Sequence, residues 1–313
     1  MRRYNAGMIR VLIVGSGDIA QRVLPTIVHR FRVYALLRDP GKAAWWRQQG
    51  VCPIIADLDQ RSTLGRLRGL AHWILHFAPP GTEADSAVSR GADAATDSRT
   101  RHLIAALSSR GSLPQRLLYI STTGVYGPCA GAHFDETRKA QPATARAGRR
   151  LDAEQRLRRW AGHSGVRLTI LRVPGIYAED RLPLQRLKAR TPVLRAADDV
   201  FTNHIHADDL AQAVWQGVRR GKCNRVYHVV DDAEMLMGDY FDHVADAFSL
   251  ERPPRVSRED AERCIPAAML SFMSESRRLD NRRMKMELGV RLAWPRVDAA
   301  VRVMGRNRAA SGV

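Results

Sequence analysis

Two glycines and an alanine, spaced as G-x-G-x-x-A in Val11-Leu12-Ile13-Val14-Gly15-Ser16-Gly17-Asp18-Ile19-Ala20, sit where an apolar run gives way to an amphipathic stretch. That spacing has a definite chemical use. Gly15 permits a tight turn, Gly17 lets the backbone approach a pyrophosphate, and Ala20 lets a helix pack closely on the preceding strand, while the helix start offers free N–H groups to the anion. Gly15, Ser16, Gly17, Asp18 and Ile19 are therefore the expected phosphate-binding residues of a dinucleotide. The second apolar run ends in Leu36-Leu37-Arg38-Asp39-Pro40. An acidic residue at that place would take the ribose of NAD, whereas the planar, charged fork of Arg38 suits a ribose 2′-phosphate, so NADP is expected in preference to NAD. The alternative, with Arg38 on the surface and Asp39 on the ribose, stays open. Asp57 beyond the third run is placed for the adenine edge, and Phe77, Ala78 and Pro79 beyond the fourth for the nicotinamide side, because ligands of open α/β sheets bind outside the carboxyl ends of the strands. For each of these a plain loop-capping role is equally open.

The elements that must position these residues follow from periodicity. Residues 11–14, 33–37, 51–56, 73–77, 117–121 and 167–172 are short runs, apolar throughout rather than alternating, as strands covered on both faces require. Residues 18–29, 41–49, 60–67, 97–110, 145–162 and 207–219 carry helical spacing. The alternation predicts an α/β fold: a doubly wound parallel Rossmann sheet over residues 8–172, with a small substrate-side C-terminal lobe over 173–304 interleaved with the last sheet elements. Residues 305–313 read as a basic tail. Trp45 and Trp46 are expected to pack in the core.

A chain of 313 residues, 45% of them apolar, can bury a core without disulfides or metals. Its apolar runs are too short for a membrane span. Cys52, Cys129, Cys223 and Cys264 lie far apart without a C-x-x-C pair, so no zinc site is expected, and reduced thiols in the cytoplasm fit best. The net charge of +18 raises the question of nucleic acid. The arginines are spread along the chain and no nucleic-acid motif accompanies them, so solvated surface charge is the preferred reading and nucleic acid is not an expected partner. A small-molecule substrate, anionic included, is compatible with that charge.

From Leu118 onward the chain resembles a known family. The segments Leu118-Tyr119-Ile120-Ser121-Thr122-Thr123-Gly124-Val125-Tyr126-Gly127, Leu171-Arg172-Val173-Pro174-Gly175-Ile176-Tyr177, Asn203-His204-Ile205-His206-Ala207-Asp208-Asp209-Leu210-Ala211 and Val226-Tyr227-His228-Val229-Val230-Asp231-Asp232 are similar to the extended short-chain dehydrogenase/reductase superfamily, its NAD-dependent epimerase/dehydratase group and its atypical members. Residues 281–289 with Trp294-Pro295 resemble the closing segment. The resemblance implies hydride transfer at a site with a hydroxyl after the fifth strand and a Tyr-x-x-x-Lys on the next helix. It also implies a cofactor contact at Pro174 and a homodimer. Thr122 matches the hydroxyl that orients the substrate oxygen. Counting back from Ala153-Glu154, however, the tyrosine position holds Arg146 and the lysine position Arg150. Arginine stays protonated and cannot act as a phenolic acid.

Three readings follow. The first is an NADP(H)-dependent oxidoreductase or epimerase/dehydratase relative with a relocated acid, for which Tyr126 is the tentative candidate, with Tyr177 and His76 behind it; Arg150 would contact the ribose or a substrate anion. The second is a catalytically silent NADP(H) redox sensor acting on a partner protein, and the third, ranked last, is nucleic-acid binding. His204 and His206 are read as pointing to opposite faces of a strand and so not as joint metal ligands, and Asp208 and Asp209 as caps of the helix they open.

Overall fold

The computed structural model describes residues 8–81, 95–108 and 113–311. Seven strands form one sheet: β1 (Arg10–Val14), β2 (Arg32–Leu37), β3 (Cys52–Ile55), β4 (Trp73–His76), β5 (Arg116–Thr122), β6 (Arg167–Val173) and β7 (Arg225–His228). The sheet is parallel, in the order β7-β6-β5-β4-β1-β2-β3. Chain order therefore reverses between β1 and β4, the switch point at which such sheets bind ligands. Every residue of β1 after Arg10 and of β6 after Arg167 is buried, which is why β1 reads as continuously apolar and β6 as mostly so, with Thr169 and Arg172 its buried polar members. Helices α1 (Asp18–Ile27), α2 (Ala43–Gln48), α3 (Ser98–Ser108), α4 (Ala145–Ser164) and α5 (Ala207–Arg220) follow in turn. Leu12, Ile74, Leu103, Leu117, Leu157 and Leu168 share one apolar core.

The chain divides into two compact units. The first takes residues up to Thr122, then Ala145–Arg172 and Ala211–Tyr227; the second takes Thr123–Thr144, Val173–Leu210 and His228–Val313. The second unit is built from helices α6 (Met237–Ala247) and α7 (Val297–Ser311) and four small two-stranded ladders. In one ladder Gly175–Tyr177 runs parallel to His204–His206. Tyr177, Val193, Phe241, Val244, Val297 and Val301 belong to its core.

Four expectations need correction. Residues Arg61–Leu67 form a 3-10 stretch instead of an α-helix. There the Thr63 hydroxyl donates to the carbonyl oxygens of Asp57 and Gln60 and so competes with helical bonding. Trp46 is buried, yet Trp45 is 40% exposed, so only one of the pair packs inside. His204 and His206 lie on one face, because residues two apart in a strand do; both rings pack on Tyr177, at 6.3 and 5.2 Å between centroids. Residues 305–311 continue α7 rather than trailing as a tail, and a Cβ on Gly305 would come within 2.8 Å of the Ala247 carbonyl carbon.

Candidate cofactor and substrate site

In the first unit the glycine turn leaves β1 with Gly15 at φ +101°, a left-handed value that favours glycine. Val14 O accepts hydrogen bonds from Phe77 N (2.7 Å) and Ala78 N (2.9 Å), which draws the loop after β4 over the turn. A Cβ on Gly15 would overlap the Ala78 amide and stand 2.8 Å from the Phe77 carbonyl carbon. Gly17 shows the opposite condition. It is the extended N-cap of α1 without a side-chain cap, and a Cβ built there meets nothing within 4 Å. The start of α1 is thus uncapped by any side chain and has open space beside its N-cap, which fits a pyrophosphate. The acid in that first turn, Asp18, accepts from Arg22 Nε at 2.9 Å.

The neighbouring strand ends carry the rest of the expected cofactor residues. Arg38 is exposed at the end of β2. Asp39 Oδ1 accepts from Gly41 N (2.9 Å) and caps the turn Pro40–Lys42. Asp57, half-buried, accepts from Asp59 N through Oδ1 at 3.0 Å. The loops after β3 and β4 are tied together by a residue that sequence reasoning missed. Arg99, in the first turn of α3, gives Nε and Nη2 to Asp59 (2.8 and 2.5 Å) and Nη1 to Pro79 O (3.3 Å) and Pro80 O (3.5 Å). In a chain this rich in arginine nothing in the sequence distinguishes Arg99 from a surface cation.

At β5, Thr122 is the last residue of the strand and half-buried. Arg150 on α4 reaches back to it, donating through Nη1 to Ile120 O (2.8 Å) and Tyr119 Oη (3.2 Å). Burial pushes the Tyr119 hydroxyl up to about 12, against the opposing pull of Arg150. His76 is buried beside Tyr119, with ring centroids 4.9 Å apart, and its Nε2 lies 3.2 Å from Thr100 Oγ1. Burial first, and the Arg150 charge second, lower its pKa to about 3, so it is neutral at physiological pH and a poor base. Arg146 is exposed. Eight residues on, Glu154 forms a buried bidentate pair with Arg172, 3.1 and 2.7 Å.

The second unit holds Tyr126 and Pro174. Pro174 is half-buried between β6 and Gly175–Tyr177. Tyr126 is 2% exposed, and its hydroxyl lies 2.6 Å from His228 Nε2. His228 Nδ1 faces the carbonyl of Asp280 at 3.1 Å. A carbonyl only accepts, so Nδ1 carries the proton and Tyr126 donates to Nε2. That geometry commits the proton of the tentative acid to a buried histidine. The helix-start aspartates also depart from expectation: both oxygens of Asp209 accept from backbone, Ala293 N (2.8 Å) and Trp294 N (2.9 Å), so Asp209 fastens a distant segment rather than capping its own helix. Tyr177 is packed among His204, His206 and the core. Among the described residues no cluster of three potential metal ligands occurs, and no helix is long and apolar enough to cross a membrane.

Known proteins bear on this arrangement. The chain spans about half the length of the curated relatives it matches: the dTDP-glucose 4,6-dehydratase of Mycolicibacterium smegmatis is 31% identical over 156 residues, 42% of this chain and 47% of that protein. A solved structure of a conserved protein of unknown function from Silicibacter pomeroyi matches with a TM-score of 0.74 at 25% identity, over 96% of this chain and 99% of that one. A dTDP-glucose 4,6-dehydratase from Streptomyces venezuelae, solved with NAD bound, shares the fold, with a TM-score of 0.74 at 18% identity over 97% and 98% of the two chains. Residues 15–220 match the family model described as NAD(P)H-binding, from the first glycine of the turn to the end of α5. The chain belongs to this NAD(P)H-binding family.

Proposed function

We propose that the protein is an NADP(H)-dependent oxidoreductase, or an epimerase/dehydratase-type enzyme, that acts on a small molecule in the cytoplasm. The observation that carries the reading is the open space at Gly17, facing the uncapped start of α1 directly beyond β1. Gly15 to Ile19 would hold the pyrophosphate, Phe77, Ala78 and Pro79 would flank the nicotinamide half, and Asp57 retains one carboxylate oxygen for the adenine edge. The preference for NADP rests on a local competition: Asp39 has an oxygen engaged by Gly41 N, while Arg38 is exposed and unencumbered at the same strand end.

When bound, the nicotinamide supplies or accepts the hydride. This chain's own residues would then orient the substrate: Thr122 holds its oxygen, and Arg150 contributes a permanent positive charge that does not transfer a proton. Tyr126 serves by fixing the loop that follows Thr122, through its bond to His228. A homodimer is part of the proposal on the strength of the superfamily resemblance. Nucleotide sugars are the first substrates to screen, since the curated relatives are named for dTDP-glucose dehydration.

Calorimetric titration with NADPH and, separately, NADH tests the reading. NADPH binding in the micromolar range, with NADH weaker by about tenfold and the difference abolished in Arg38→Ala, is the expected result, a factor of ten being about 1.4 kcal/mol. Absence of binding by either nucleotide would reduce the turn to architecture and end the enzyme reading. Binding without turnover of any screened substrate would leave a nucleotide-binding module.

A further inference from the structure

Some arginines of the first unit are matched by carboxylates, whereas others, Arg116 and Arg150 among them, bond only neutral oxygens. Arg99 is paired with Asp59 and Arg172 with Glu154. Arg150 has no carboxylate within ion-pair distance among the described residues. Its two hydrogen bonds both leave from Nη1 and end on neutral oxygens, Ile120 O and Tyr119 Oη. Nε and Nη2 make no bond to the described protein. Glu154, one helical turn along α4, is consumed by Arg172 through both oxygens. Asp97 is close enough to feel the Arg150 charge, but burial raises its carboxyl toward the neutral form. Two neutral anchors and the Tyr119 ring, 5.8 Å from the guanidinium carbon, thus set the direction of the fork and leave it without a carboxylate partner, in a half-buried position where an unpaired ion is costly.

The position of this charge narrows what would meet it. Arg150 is anchored at the carboxyl end of β5, two residues before Thr122, and β4 separates β5 from β1. Two strand spacings are about 10 Å. An anion at Arg150 is therefore a different group from a pyrophosphate held at Gly17. On the enzyme reading above, we infer that Arg150 recognises a carboxylate or phosphate carried by the substrate, held by the fork's free Nε and Nη2 edge.

The test titrates malonate and inorganic phosphate into wild type, Arg150→Gln and Arg150→Lys, each with and without saturating NADPH, with malonamide as the neutral control. Wild type should bind at least one anion and not malonamide. Affinity should fall tenfold or more in Arg150→Gln and less in Arg150→Lys, with NADPH affinity held within twofold. No anion binding by wild type, or equal binding by wild type and Arg150→Gln, overturns the inference. Loss of NADPH affinity in Arg150→Gln as large as the loss of anion affinity also overturns it, by assigning the arginine to the cofactor. Should Arg150→Gln fail to fold by circular dichroism, Arg150→Lys with wild-type anion affinity and no gain from the fork is the overturning result, and a clear weakening is the supporting one. Failure of wild type to bind NADPH at all is a separate outcome that sinks the enzyme reading, and the nucleotide-free titrations still decide what Arg150 holds.

Discussion

The glycine turn of the first unit and the buried cluster around Tyr177 in the second both break ordinary packing rules, and they do so in opposite ways. The turn leaves room: nothing lies within 4 Å of a Cβ at Gly17. The cluster encloses polar atoms instead. Tyr177 Oη, His204 Nδ1 and Asp231 Oδ2 are buried without a hydrogen-bond partner among the described residues. Burial lowers His204 to about 3 and raises Asp231 to about 8, so both are uncharged at neutral pH. Space left open on an exposed helix start has a use when something binds, whereas polar atoms sealed in a core weigh on stability whether or not anything binds. Substitutions should separate the two kinds of exception.

The largest effect is expected where the turn is tightest. Gly15→Val forces a left-handed backbone on a branched residue and drives its side chain into Ala78, so about 4 kcal/mol or more of stability should be lost, read as a melting point lower by about 10 °C or as insoluble protein. Gly17→Val should do the reverse: a melting point near that of wild type, with NADPH affinity down about a hundredfold, or about 2.7 kcal/mol. A Gly17→Val protein that binds NADPH normally would break the comparison on its first side.

In the second unit, Asp231 gives a pH signature. Its folded pKa lies above the unfolded value, so the folded state holds the proton more tightly; stability is then full below about pH 4 and declines as pH rises toward about 8. Denaturant unfolding at pH 6 and pH 8 should differ by about 2 kcal/mol from this group, and Asp231→Asn should flatten the difference without changing NADPH affinity. The smallest effect belongs to Tyr177→Phe, which removes a buried hydroxyl that has no protein partner and should raise stability by about 1 kcal/mol. A loss of that size instead would show the hydroxyl to be satisfied, and the cluster would cease to be an exception.

What the sequence disclosed divides along the same line. The turn was legible because backbone approach demands particular residue types at particular spacings, and the sheet because strands buried on both faces must be apolar throughout. β7 escaped notice because Arg225-Val226-Tyr227-His228 is short and carries polar ends. Pairings among polar side chains were invisible for another reason: their chemistry is set by what folding brings near. Tyr126 reads as a strand-end tyrosine with a proton to give until His228, 102 residues away, is seen to hold its hydroxyl. Arg150 stands out in the sequence as the occupant of the lysine position, but only the fold shows its two neutral anchors. Asp209 likewise looks like a cap from its place at a helix start, and only the fold supplies Ala293 and Trp294 as the donors it serves.

The division of the chain carries a practical consequence for dissecting it. The first unit draws on three separate stretches, and β7 enters beside β6 only after the chain has returned from the second. A fragment ending near Arg172 would keep every glycine of the nucleotide turn and still lack α5 and β7. β6 would then become a bare margin of the sheet, rich in the apolar residues Leu168, Ile170, Leu171 and Val173, and such margins pair with one another between molecules. Expressing the nucleotide-binding half alone should therefore yield inclusion bodies rather than a minimal domain, and a workable truncation must extend through His228.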